Sequence, residues 1–255
     1  MVKSRLLRVA LAFCLAALLG KAADDGKSRV PVLLELFTSE GCSSCPPADR
    51  LLEILDQKQP VAGANLIVLS EHVDYWDRLG WKDPFSSPQY TARQQDYTNR
   101  YHFDGVYTPQ LVVDGRYGFV GSDGREASAA IEKVIREPKV PMTISNVARN
   151  GNEVTARIEL PADQNFRGAR AMLYVALADN KQESHVERGE NGGHTLVHVA
   201  VVRILRQVGM IDLDAASAKE IALPVQGGSG SGLRLVAFIQ DAKTGHVVAA
   251  VQQKL

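Results

Sequence analysis

Cysteine, tryptophan and net charge are all scarce in this sequence. Three cysteines in 255 residues exclude a disulfide-scaffold protein, which staples a small core with many bridges. One Cys-x-x-Cys occurs and no second follows, so a four-thiolate zinc site is excluded. Basic and acidic residues balance at 29 each, which leaves no electrostatic footprint for nucleic acid or anionic lipid. No apolar run reaches the ~20 residues that a membrane-spanning helix needs. No Gly-x-Ser-x-Gly elbow supports a serine hydrolase. The glycine-rich stretch QGGSGSG at 226–232 lacks the strand–glycine–helix setting of a phosphate cradle and reads as a flexible loop.

What is present begins with a leader. Lys3, Arg5 and Arg8 form a basic head, and Val9 to Leu19 is apolar throughout. Gly20 and Ala22 then supply the small residues of a cut after Ala22. This is the pattern of a secretory signal peptide over residues 1–22, with Cys14 inside the discarded part. The expected location is therefore periplasmic or secreted. Removing Lys3, Arg5, Arg8 and Lys21 turns 29 basic residues into 25 against 29 acidic, a net charge of −4.

Periodicity divides the rest at about residue 140. VPVLLELF (30–37) reads as a buried strand, and Pro46-Pro47 opens a helix carrying Leu51, Leu52 and Leu55 at helical spacing. ANLIVL (64–69) is a second buried strand. Its exit, SEHVDYWDRLGWKDPF, holds both tryptophans. Ser87-Pro88 caps a helix to about Tyr101. A strand at 110–113, an Asp114-Gly115 turn, a strand at 117–120 and a helix from Ser122 or Asp123 to Ile135 complete this half. Beyond Val140, short alternating runs separated by turns predict an antiparallel sandwich. The charged turn RGENGGH (188–194) is placed to contact the first half, with no chemistry assigned to it.

Cys42 and Cys45 sit between strand and helix in FTSEGCSSCPPAD. Their bond closes almost no chain loop, so it adds little through loop-closure entropy. Such a pair suits electron exchange better than holding a fold. A thiolate at a helix start faces free amides and the positive end of the dipole, which lowers its pKa. Cys42, the outer residue, is the expected nucleophile, and Cys45 the resolving thiol.

The element order, this Cys-x-x-Cys, and Thr108-Pro109 before the third strand resemble the thioredoxin superfamily over about residues 30 to 137. More narrowly, LFTSEGCSSCPPAD, HVDYWDRLGWKDPF, YTPQ and VGSD are similar to an exported bacterial thioredoxin-like family, domain of unknown function 1223. The resemblance implies an α/β thioredoxin-like domain (23–139) followed by an antiparallel β-sandwich domain (140–255). It also implies a cis Pro109 that shapes a substrate groove against the cysteines, and a buried acid beneath them that moves protons. Glu35, interrupting a strand buried on both faces, fits that acid or an ion pair with a lysine or arginine. Glu40-Gly41 before the first cysteine and Ser43-Ser44 between the two depart from thioredoxin itself.

If the second strand runs parallel to the first, its exit lies on the cysteine side. Cys42, Cys45, His72, Asp74, Trp76, Thr108 and Pro109 then line one rim. His72 is a candidate proton carrier, or part of a solvated loop. Asp74, Trp76 and Thr108 are candidate substrate contacts, or loop packing. The expected function is an exported thiol–disulfide oxidoreductase acting on protein thiols, with no organic cofactor. Two alternatives stay open. One is a soft-metal site for copper or zinc from Cys42, Cys45 and His72. The other is a non-catalytic binding protein with a structural disulfide. His194 and His198 lie roughly 13 Å apart along a strand, too far to share an ion, and read as polar sandwich positions.

Overall fold

The structure is a computed structural model that describes residues 29–103, 105–225 and 232–255. The leader and most of QGGSGSG lie outside the described residues. Eleven strands and three α-helices alternate as β1 (Val30–Thr38), α1 (Pro46–Lys58), β2 (Ala64–His72), α2 (Pro88–Tyr101), β3 (Gln110–Val113), β4 (Tyr117–Val120), α3 (Gly124–Val134), β5 (Thr143–Asn150), β6 (Glu153–Leu160), β7 (Arg170–His185), β8 (Thr195–Asp212), β9 (Ser217–Pro224), β10 (Leu233–Asp241) and β11 (Val247–Lys254). The helix starts follow their capping residues. Ser87 Oγ accepts from Gln89 N–H, and Asp123 accepts from Arg125 and Glu126 N–H.

The expected fold class, an α/β thioredoxin-like domain followed by a β-sandwich, is corrected by this architecture. The molecule is mostly β. Its main layer is one mixed eight-stranded sheet in the order β11-β10-β7-β8-β2-β1-β3-β4, and a second sheet holds β5-β6-β9. Four strands from the second half of the chain thus continue the sheet begun by the first four. The junction is β8 against β2, parallel, at Ser70 and Val201. Local periodicity marks where strands lie in the first half, short of the end of β2, but carries no signal for this pairing. It joins residues more than a hundred positions apart.

Within the main sheet β1 pairs parallel with β2 and antiparallel with β3. Both faces of β1 and β2 are covered, which is why their sequences run apolar almost without a break. Val32, Leu34 and Leu36 face Ala48, Leu52 and Leu55 of α1 and Ala127 and Ile131 of α3. Leu33, Ile67 and Leu69 face the opposite way, against Tyr90, Tyr174 and Phe238. The small sheet packs Val154, Ile158 and Leu223 onto Leu173, Val175, Leu235 and Ile239 of β7 and β10.

β8 carries two roles. Ala200 stands at φ 50°, and the register against β7 shifts at Arg203, between the Val202–Ala178 and Ile204–Leu177 pairs. Val199 and Ala200 pack into the α1–α3 core, while Val202 and Leu205 pack on the other side. The bend lays the start of β8 over α1, and the β7–β8 hairpin tip reaches the Cys-x-x-Cys segment.

Candidate functional site

Cys42 and Cys45 form a disulfide in the turn between β1 and α1. Both are fully buried, whereas Ser43 and Ser44 between them are exposed. The bond therefore lies one residue beneath the surface. Amides near the sulfurs are few. Pro46 and Pro47 have no N–H, and the Ala48 and Asp49 N–H groups both donate to the Cys45 carbonyl.

Three elements roof the bond. First, Ser44 Oγ lies 3.3 Å from Cys42 Sγ and donates to the Thr108 carbonyl at 3.4 Å. Thr108 precedes Pro109 through a cis peptide bond. Second, Trp76 lies against Gly41, where an added Cβ would meet Trp76 Cβ at 3.2 Å. Its indole N–H donates to Thr108 Oγ1 at 2.8 Å. Third, the tip of the β7–β8 hairpin, residues 186–194, folds over the motif. Asn191 Nδ2 donates to the Glu40 carbonyl at 2.8 Å and the Cys42 carbonyl at 3.0 Å. Glu190 Oε2 accepts the Ser43 N–H at 2.9 Å, and the Ser43 hydroxyl, then its N–H, hold the Glu190 carboxyl below the usual carboxylate range.

The tip is itself anchored. Only Val186 and Asn191 within it are buried. Gly189, at φ 80°, touches the tryptophan-bearing loop: its added Cβ would meet Trp81 Cβ at 3.2 Å, and that of Gly80 would meet Gly189 Cα at 3.3 Å. Two backbones this close leave no room for side chains.

Beneath the motif lies a buried charge cluster. Glu40, fully buried, accepts from the Trp81 indole N–H at 2.7 Å and from the Ser184 hydroxyl. Asp49 accepts from Thr38 Oγ1 at 3.1 Å. His198 stands between these two acids, its ring nitrogens 3.5 Å from Glu40 Oε1 and 3.6 Å from Asp49 Oδ2. At those distances the attraction is coulombic rather than a formed hydrogen bond. Burial alone would push the imidazole pKa down, but Asp49 and Glu40 outweigh it and hold it up at about 10. The His198 ring also meets His72 edge-on, with centroids 4.7 Å apart. His72 Nδ1 faces Asp83 Oδ2 at 2.7 Å. Burial opposes the charged Asp83, yet His72 and the Glu40 and Phe85 N–H groups outweigh it and hold the carboxyl low.

Among the expected site residues, Cys42, Cys45, Trp76, Thr108 and Pro109 come together. β2 extends through His72, which pairs with Thr38, so His72 is buried below the rim instead of lying in a loop. Asp74 ties the tryptophan loop to α2, accepting from Thr91 Oγ1 at 2.6 Å. Glu35 points to the opposite sheet face from α1, as the period of two dictates. Arg93 Nε and Tyr97 OH each donate to it at 2.5 Å, the ion-pair reading of that residue. Arg93 also stacks on the rings of Tyr97, Tyr174 and Phe238, about 5 Å from each centroid. Burial, and then the neighbouring Glu35, push the pKa of Glu71 beside it well above the usual carboxylate range.

Sequence reasoning missed Glu40, Asp49, His198 and Asn191. Asp49 had a signal, since it shares the buried stripe of α1 with Leu52 and Leu55. His198 is no polar sandwich position but 1% exposed within the cluster. No group of three or more His, Cys, Asp or Glu among the described residues is arranged to hold a metal ion.

The family described as "Protein of unknown function (DUF1223)" matches residues 33–240. The chain belongs to this family. No curated protein matches it. A crystal structure of an Agrobacterium tumefaciens protein is similar at 29% identity and TM-score 0.66, covering 88% of this chain and 94% of that one. HBP35 of Porphyromonas gingivalis is similar at 16% identity and TM-score 0.62, covering 90% and 76% respectively. At that identity the second likeness concerns the fold alone.

Proposed function

We propose that this family member is an exported thiol–disulfide exchange protein acting on protein thiols, with Cys42–Cys45 as a redox pair kept covered between turnovers. The reading rests on how the pair is buried. Exposed Ser43 and Ser44, half-buried Trp76 and a hairpin tip held by hydrogen bonds lie over it. This is a surface cover rather than a packed core. A bridge three residues apart contributes little to stability through chain entropy, so exchange chemistry is the better reason for its presence.

In the exchange a client thiolate attacks one sulfur of the pair. A mixed disulfide forms as the Cys42–Cys45 bond breaks, and the other cysteine leaves as thiolate and takes a proton. The client's second thiolate then displaces the first cysteine. Two electrons pass from client to pair, and the reverse sequence oxidises the pair again. The basic head, apolar run and small-residue exit at the N-terminus support export.

The full burial of both cysteines also favours a second reading, a binding protein with a permanent disulfide. Reduction potential separates the two. An exchange pair equilibrates with glutathione above about −300 mV, and a structural disulfide lies below it. In the Cys45→Ala variant, Cys42 should capture client proteins as mixed disulfides. A potential below that mark, with no captured client, favours the permanent bond.

A further inference from the structure

We infer that the tip of the β7–β8 hairpin is a detachable latch on the disulfide, with Asn191 as the positioning residue that closes it. The inference rests on the exchange reading above and names the step that controls access to the pair.

The tip has the construction such a latch requires. Its own turn is internally bonded, Val186 N–H to the His194 carbonyl at 2.9 Å and Gly193 N–H to the Val186 carbonyl at 2.7 Å. It can therefore move as a unit. Its hold on the motif is polar and sparse. Asn191 bridges two carbonyls that flank Gly41, those of Glu40 and Cys42, and Glu190 takes the Ser43 amide. Val186 is the only buried apolar side chain in the segment. Of its three bonds to the motif, that of Glu190 is exposed and the two of Asn191 are buried; segments with few apolar contacts open locally at a fraction of the global stability. The contacts are also specific to the pair. The latch bonds to the backbone of Cys42 and of Ser43 and to the residue before Gly41, and lies against the tryptophan loop at Gly80 and Trp81. Opening it frees the carbonyls and amide of the motif and uncovers the side from which a client approaches. Asn191 touches no sulfur, so its action is on access and on motif position.

The test is the rate at which a water-soluble phosphine reduces Cys42–Cys45 in the native protein, followed by quenching and thiol labelling. Asn191→Ala removes both bridging hydrogen bonds and should speed reduction on the order of tenfold. Glu190→Ala removes an exposed contact and should speed it by a smaller factor, with no risk to folding. Ile158→Val, in the small sheet far from the motif, lowers global stability and should leave the rate unchanged. Unchanged rates in both latch variants overturn the proposal. So does equal acceleration by Ile158→Val, which would mean that reduction follows whole-molecule unfolding. The redox reading fails separately, through the potential and the client trap, since a latch can cover a bond of any potential.

Discussion

At the scale of single residues, the buried charges carry the most testable content. His198 is held up at about 10 in the folded state against an ordinary value of 6.5. A raised histidine contributes stability that is complete below the unfolded pKa and fades as pH rises through the folded one. Denaturant unfolding should therefore show stability falling between about pH 6.5 and 10, by an amount on the order of a few kcal/mol. In His198→Gln that slope should flatten, and an identical slope would remove His198 as its source. Glu71 acts with the same sign from a lower starting pH, because a carboxyl raised by burial is also destabilised as it ionises. Arg93 tests a different point. Arg93→Ala leaves the Glu35 carboxylate buried without its cation and should cost about 3–5 kcal/mol, read from the denaturation midpoint. Glu35 was visible in the sequence as a charge inside an apolar strand. Its partner was not, because Arg93 sits on α2 58 positions away.

At the scale of elements, strand and helix positions were legible, and which face each side chain takes was partly so. The first strand, the proline-opened helix and the Ser87 cap declare themselves through period and capping chemistry. The end of β2 did not. Ser70, Glu71 and His72 look like a polar loop, yet pairing with Leu36, Phe37 and Thr38 keeps them in the sheet and buries them. That extension puts His72 beneath the cysteines and Glu71 on the opposite face. The hairpin tip was legible only as a charged turn, since its partners lie 147 to 151 positions earlier. α1 gives one more element-scale expectation. Arg234 of β10 is almost fully buried and grips Asp56 with two hydrogen bonds at 2.8 and 2.9 Å. Arg234→Lys cannot reproduce that fork. It should lower the unfolding midpoint by more than a typical surface change of about 0.5 kcal/mol. An unchanged midpoint would mean that Asp56 is as well satisfied by water.

At the scale of the whole molecule, the strands after the change of texture near residue 140 divide between two sheets: β7, β8, β10 and β11 continue the main sheet, and β5, β6 and β9 form the small one. β2 is flanked by β8, and the α1–α3 core includes Val199 and Ala200. A fragment of residues 23–139 would expose that side of β2 and α1. It should show no cooperative thermal transition by circular dichroism, and a sharp transition from a monomeric fragment would contradict the mutual dependence of the two halves. The same dependence sets an order of events during synthesis. Asn191 stands 149 positions after Cys42, so in a chain made from its N-terminus both thiols emerge long before the hairpin part of their cover exists. An oxidant acting on the nascent chain would meet them with that side open.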